Sequence, residues 1–133
     1  MFTYSPGVML TWQIAASETA HARYQYIERE QIFIGLLKAK DLLKPEILDM
    51  FEIDYSYVDY LEAEFEPIEE LLAKFKVERA QVRRSLRNSV GKGSYQHKEK
   101  VVHRSKECKA IFEQAKELAK KGCLLYTSPS PRD

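Results

Sequence analysis

Few residues of this sequence stand at spacings that do chemistry. Gly91-Lys92-Gly93 lacks both the upstream glycine and the following hydroxyl residue with which a phosphate-cradling loop holds a nucleotide. Neither HExxH nor CxxC occurs, and His21, His97 and His103 are scattered. His103 and Cys108 are five residues apart with no third group, so neither a metal site nor an activated thiol is expected. Cys108 falls on an apolar stripe and reads as a small core residue. With Cys123 it is one of two cysteines, too few for a disulfide framework. Lys74, Lys76, Arg79, Arg83, Arg84 and Arg87 could contact phosphates. Yet Arg79, Arg83 and Arg87 recur every four residues, as on any solvated helix face, and no helix-turn-helix pattern accompanies them. Nucleic acid is therefore the remote alternative, and neither a catalytic residue nor a cofactor is expected.

The elements that carry these residues are helical. The chain has 133 residues, 44% hydrophobic and 31% charged, which suits one packed domain. It shows no apolar run that would span a bilayer and no signal peptide, so a reducing cytoplasm is the expected compartment. Its net charge of +1 hides an asymmetry. Residues 1–73 carry 5 basic and 14 acidic side chains, and residues 74–109 carry 12 and 3, two blocks that could attract each other or form separate faces. Ser5-Pro6 is a helix start, followed by the stripe Met9, Trp12, Ala16 and Ala20, whose alanines allow a close neighbour. A second helix, from about Glu28 to Ala39, is apolar nearly all round and is expected at the centre. Pro45 to Phe51 makes a short third helix, a fourth starts near Tyr55, Pro67 is expected to open a further segment, and another helix runs from about Arg79 to Val90. Ser94 to Val102 reads as a polar linker. Ser105 caps a last helix that Gly122 ends. Leu48, Phe51, Ile53 and Val58 echo in Leu72, Phe75, Val77 and Val82, suggesting two helix-entry units in tandem.

A longer repeat is more informative. At an offset of 99, Met9, Trp12, Ala16 and Ala20 fall on Cys108, Ile111, Ala115 and Ala119. A duplicated unit would bury the first and last helices in equivalent places. The fold class expected is all-α, a compact helical domain of two pseudo-repeats, the second incomplete.

These residues resemble the Clp N-terminal, or Clp repeat, domain. Each repeat of that family begins with Thr or Ser and a helix of large, large, alanine, alanine pattern. A Tyr-Ile-Gly-Thr-Glu-His-Leu-Leu-Leu-Gly-Leu-Leu stretch follows, read here as Tyr26 to Leu37. Glu28, Arg29 and Gln31 stand where the family has Gly, Thr and His, so the helix entry and any site beside it are expected to differ from the family's. The resemblance covers residues 2–122, with the first repeat at 1–93, the start of the second at 105–122, and an insertion between about Tyr55 and Leu72. The second Tyr-Ile-Gly-Thr-Glu-like helix is missing. Residues 123–133, CLLYTSPSPRD, resemble read-through at the end of an incomplete frame and are expected to be a non-native or disordered tail.

The resemblance implies a protein-binding domain that recruits unfolded or tagged substrates, or adaptor proteins, to an ATP-dependent unfoldase. The parent would carry ATP-hydrolysing AAA+ modules and be hexameric through them. A free-standing repeat adaptor without ATPase is the alternative. By family motif, Glu30 would help line a site for peptide segments or modified arginine, since a carboxylate grips a planar guanidinium through two parallel hydrogen bonds. Its plain role is a first-turn acid that favours the helix dipole. Thr3 or Ser5, and Ser105, are the hydroxyl candidates, each also a helix cap. Tyr4, Trp12, Tyr24 and Tyr26 are candidates for an apolar groove.

Overall fold

The structure, a computed structural model, describes residues 4–98 and 101–127, the last six as backbone. Thr3 and residues 128–133 of the expected tail lie outside the described residues. The fold is all-α. In chain order it has α1 (Pro6–His21), α2 (Arg29–Lys38), a 3₁₀ turn at Ala39–Leu42, α3 (Pro45–Met50), a second 3₁₀ turn at Tyr55–Tyr57, α4 (Val58–Lys74), α5 (Arg79–Val90) and α6 (Lys106–Thr127). Among the described residues the only extended pairing is an isolated parallel bridge between Ile27 and Arg104. No helix among them is long and apolar enough to cross a membrane.

α1 starts where Ser5 and Pro6 predict. The Ser5 hydroxyl accepts from Val8 N–H at 3.2 Å, and Pro6 occupies the first turn, where its missing N–H costs nothing. The buried side of α1 is not the expected stripe. Met9 and Ala20 are exposed and Trp12 and Ala16 half-buried, whereas Leu10, Thr11, Ile14, Ala15 and Thr19 are buried. The reason is that α1 is covered on three sides. Leu10 and Ile14 enter one core cluster with Ala39, Leu48, Leu61 and Phe65. Val8, Trp12, Ala15 and Ala16 enter a second, with Ile27, Cys108 and Phe112. Between the two, α2 crosses closely. A Cβ on Gly35 would lie 2.6 Å from the Thr11 carbonyl oxygen and 3.3 Å from the Ala15 nitrogen, so the crossing admits no side chain at that point. α2 is less enclosed than its composition suggests. Gln31, Ile34, Gly35 and Leu37 are buried and Phe33 is exposed.

Pro67 does not open a new segment; it lies inside α4. Proline within a helix costs roughly 3 kcal/mol. Buried Leu61 and Phe65, with Val58 and Ile68 packed on the same cluster, offset that at about 1.5–3 kcal/mol per fully buried side chain. Apolar spacing of three and four residues continues through the proline and keeps one face on the core.

The 24-residue echo marks helix exits rather than entries. α3 and α4 end alike: Ile53 N–H donates to Leu48 O at 2.8 Å and Val77 N–H to Leu72 O at 2.9 Å. Glu52 and Lys76 take left-handed φ values of 59° and 56° between them. Both are the paired reverse turn that satisfies the last helical carbonyls.

The segment after α5 is strapped down by backbone bonds. Gly93 N–H donates to Ala22 O at 2.7 Å and Tyr95 N–H to Arg23 O at 2.9 Å. α6 then begins at its Ser105 cap, with Cys108 N–H donating to Ser105 Oγ at 3.0 Å. Its helical backbone runs through Gly122 to Thr127, so the glycine does not end it.

The two charge blocks do meet. Glu18 on α1 takes Arg87 of α5 through two hydrogen bonds, at 3.0 and 2.9 Å, and Lys38 of α2 at 3.0 Å. Arg79 reaches Asp41 and Glu69, each at 3.3 Å, and Arg83 reaches Asp41 at 3.6 Å. The arginine face that a phosphate backbone would use is thus turned onto acids of the first block.

Candidate functional site

The two serine caps have the same arrangement. Each accepts from the N–H three residues on and donates its own proton to a carboxylate brought from far along the chain. Ser5 donates to Glu64 of α4, whose other oxygen accepts from Gly7 N–H at 2.9 Å. A Cβ on Gly7 would fall 2.5 Å from the Glu64 carboxyl carbon, so a larger residue there would push the carboxylate aside from its present seat over the start of α1. Ser105 donates to Glu28 Oε1 at 2.6 Å. In both cases a negative charge lies at the positive end of a helix. Both hydroxyls are committed within the fold, as caps and as donors.

The Ile27–Arg104 bridge sets the second arrangement. Ile27 N–H donates to His103 O at 2.9 Å and Ser105 N–H to Ile27 O at 3.0 Å, which places the starts of α2 and α6 side by side. Gln31 is buried and accepts from Glu28 N–H at 2.9 Å. Glu28 and Gln31, two of the departures from the Clp pattern, therefore build the entry to α2. Glu28 is the N-cap and also holds Ser105, while Gln31 closes the capping box onto the Glu28 N–H. A carboxylate with a glutamine three residues on is a recognisable helix-start signal that would have revealed this.

Around these paired helix starts lies an open depression of about 510 Å³, bordered by Glu28, Arg29, Glu30, Glu107, Cys108, Ala110 and Ile111. Glu30 is half-exposed, and its nearest cation is Arg29 at 3.6 Å, itself largely in solvent. An ion pair so exposed is worth little, leaving the carboxylate open to a better-placed cation. A second hollow of about 430 Å³ adjoins it, lined by Ile32, Phe33, Leu36, Leu86, Cys108 and Ile111. Cys108 lies in the floor between them. Burial pushes its thiol up, against the pull of the Arg104 cation, so it stays a neutral core residue.

Ser5 does not border the Glu30 depression: it is bonded to Glu64, which with Tyr4 borders an apolar groove that shares Ile32, Leu36 and Ile111 with the hollow. Ser105 joins the Glu30 depression only through Glu28. The aromatic candidates also separate. Tyr4 stacks edge-on with Trp12 and Phe112, at centroid distances of 5.7 and 5.9 Å. Arg104 lies 4.1 Å from the centroid of Trp12 and 4.6 Å from that of Phe112. Tyr24 donates to the Val90 carbonyl, and exposed Tyr26 accepts from Gln25 at 3.2 Å. Among the described residues no three His, Cys, Asp or Glu side chains are grouped to hold a metal ion. Compared with known proteins, the chain matches no family model, no curated relative and no solved structure.

Proposed function

We propose that this chain is a protein-binding domain that recruits substrates or adaptors to a Clp-type ATP-dependent unfoldase, acting in the cytoplasm without catalysing a reaction itself. One observation carries the reading: three carboxylates, Glu28, Glu30 and Glu107, outnumber the solvent-exposed Arg29 around a depression that adjoins an apolar hollow. That pairing suits a peptide segment with an arginine beside an apolar side chain. Glu30 takes the guanidinium, Glu28 stays with Ser105, and Phe33 and Ile111 receive the neighbouring side chain. The parent's role in unfolding and proteolysis follows from the Clp resemblance alone.

The test is binding of a fluorescent, permanently unfolded model protein to the wild type and to Glu30→Ala and Glu30→Gln. A charge-assisted hydrogen bond contributes about 1.5–3 kcal/mol, so both variants should bind roughly 10- to 100-fold more weakly. Equal binding by all three removes Glu30 from the site. No binding by the wild type removes the recruiting function.

A further inference from the structure

A separate cleft of about 660 Å³ lies where the end of α1, the body of α2 and the end of α5 meet. α6 contributes no residue to it, and it shares none with the Glu30 depression or the hollow beside it. Its wall carries Lys38, Arg87 and Lys92 against a single acid, Glu18. We infer that this cleft is a binding site for a small phosphate monoester with an apolar body.

The balance of charge sets the charge of the ligand. Three cations and one carboxylate leave two positive charges on the wall. A phosphate monoester carries about −1.5 to −2 at pH 7, which matches that surplus. Glu18 does not exhaust its partners. It accepts from two of the five N–H groups of Arg87 and one of the three of Lys38. The Arg87 and Lys38 side chains remain 40% and 28% exposed, so the two cations already converge on one anion and keep donors for another. Arg79 and Arg83, by contrast, are turned onto Asp41 and Glu69 and do not border the cleft. Exposed His21 and Asn88 add polar groups. Buried Ile34, with half-buried Ala22 and Val90, offers an apolar surface to the group that the phosphate esterifies.

The cleft is held in shape by backbone bonds. Gly91 turns the chain out of α5 with a φ of 74°, which favours glycine, and its N–H donates to Arg87 O at 2.8 Å. The Tyr24 hydroxyl donates to the Val90 carbonyl, and Gly93 N–H to Ala22 O. A Cβ on Gly93 would lie 2.3 Å from the Arg23 carbonyl oxygen, so the strap lies flat on the end of α1 and fixes Lys92 beside it. Gly91 and Gly93 have thus spent their N–H groups, and Gly91-Lys92-Gly93 meets an anion through its lysine rather than through a backbone cradle. Both α1 and α5 turn their carboxyl ends to the cleft, which opposes an anion. That effect is smaller than one charge-assisted hydrogen bond, and the carbonyls of Glu18, Ala22, Arg87 and Val90 already accept protons.

Isothermal titration calorimetry of phenyl phosphate into the 133-residue protein is the test. One saturable site is expected. Arg87→Ala and Lys92→Ala should each weaken it about fivefold or more, and Glu18→Gln, which removes the competing carboxylate, should tighten it about threefold. The opposite sign separates anion binding from upkeep of the fold, because loss of the tether alone would weaken binding. Lys109→Ala, an equal loss of charge on exposed α6 surface, should change nothing. Phenyl sulfate, a singly charged ester of the same shape, and inorganic phosphate should each bind about tenfold more weakly. Should Arg87→Ala misfold by circular dichroism, Lys92→Glu replaces it and should abolish binding. Absence of a saturable site overturns the proposal, as does binding indifferent to Lys92→Ala or weakened by Glu18→Gln. Equal affinity for phenyl sulfate removes the match to a dianion, and equal affinity for inorganic phosphate reduces the cleft to a seat for an adventitious ion only; either result overturns the proposal.

Discussion

α1 and α6 start alike and end differently. Each opens on a serine that accepts from the third residue's N–H and donates to a distant carboxylate, Glu64 for α1 and Glu28 for α6. Beyond the second turn they part. Ala15 is fully buried while Ala115 is exposed. Counted from the serine caps, which are 100 residues apart rather than the 99 of the apolar stripe, Glu18 is tethered to α2 and α5 while its counterpart Leu118 lies in solvent. A helix start is specified by a handful of local hydrogen bonds. The fate of its faces is specified by which neighbours arrive, and similar faces can end in opposite environments.

The contrast is sharpest in truncation. Ile14→Ala on α1 should cost about 2–5 kcal/mol, as core truncations do, while Leu118→Ala on α6 should stay within about 0.5 kcal/mol. Urea unfolding followed by circular dichroism measures both. A Leu118→Ala cost of the same order as that of Ile14→Ala would mean the α6 face is covered in solution, and the comparison would break. The shared caps should behave as a matched pair. Ser5→Ala and Ser105→Ala are each expected to cost about 1–2 kcal/mol, since each loses a cap and leaves a carboxylate short of a donor. If one is neutral, the two starts are not equivalent. The smallest effect is the tether. Burial works to raise the Glu18 carboxyl, but the bonds from Arg87 and Lys38 outweigh it and hold it below its ordinary value of 4.5. A carboxylate held low stabilises the fold above that ordinary value and loses the contribution as pH falls through its lowered one. Glu18→Gln should therefore cost up to about 1 kcal/mol at neutral pH. The gap from wild type should close on acidification below 4.5. A gap that stays constant with pH would assign the loss to packing instead.

The helical class and the starts of α1, α3 and α6 were legible because apolar spacing and the serine and proline signals there are local. The stripe on α1 was read one residue off the helix's closest crossing. Periodicity finds a single face, and this helix is covered on three, with Thr11 and Thr19 among the buried residues. Pro67 misled because its cost is local, whereas the burial of Leu61 and Phe65 that offsets it depends on the whole fold. At the candidate site, Glu30 and Ser105 could be picked from the motif, but their separation from Ser5 could not. The partners of both serines come from 59 and 77 residues away, and nothing around Glu64 marks it as the acid over α1.

The joint between the two halves also carries its own optical reporter. The chain has a single tryptophan, and the indole of Trp12 lies against Phe112 with the Arg104 guanidinium over its face. Any rearrangement that draws α6 away from α1 strips both neighbours from that ring at once. Its emission wavelength therefore follows the opening of the seam specifically, without a label and without interference from a second indole.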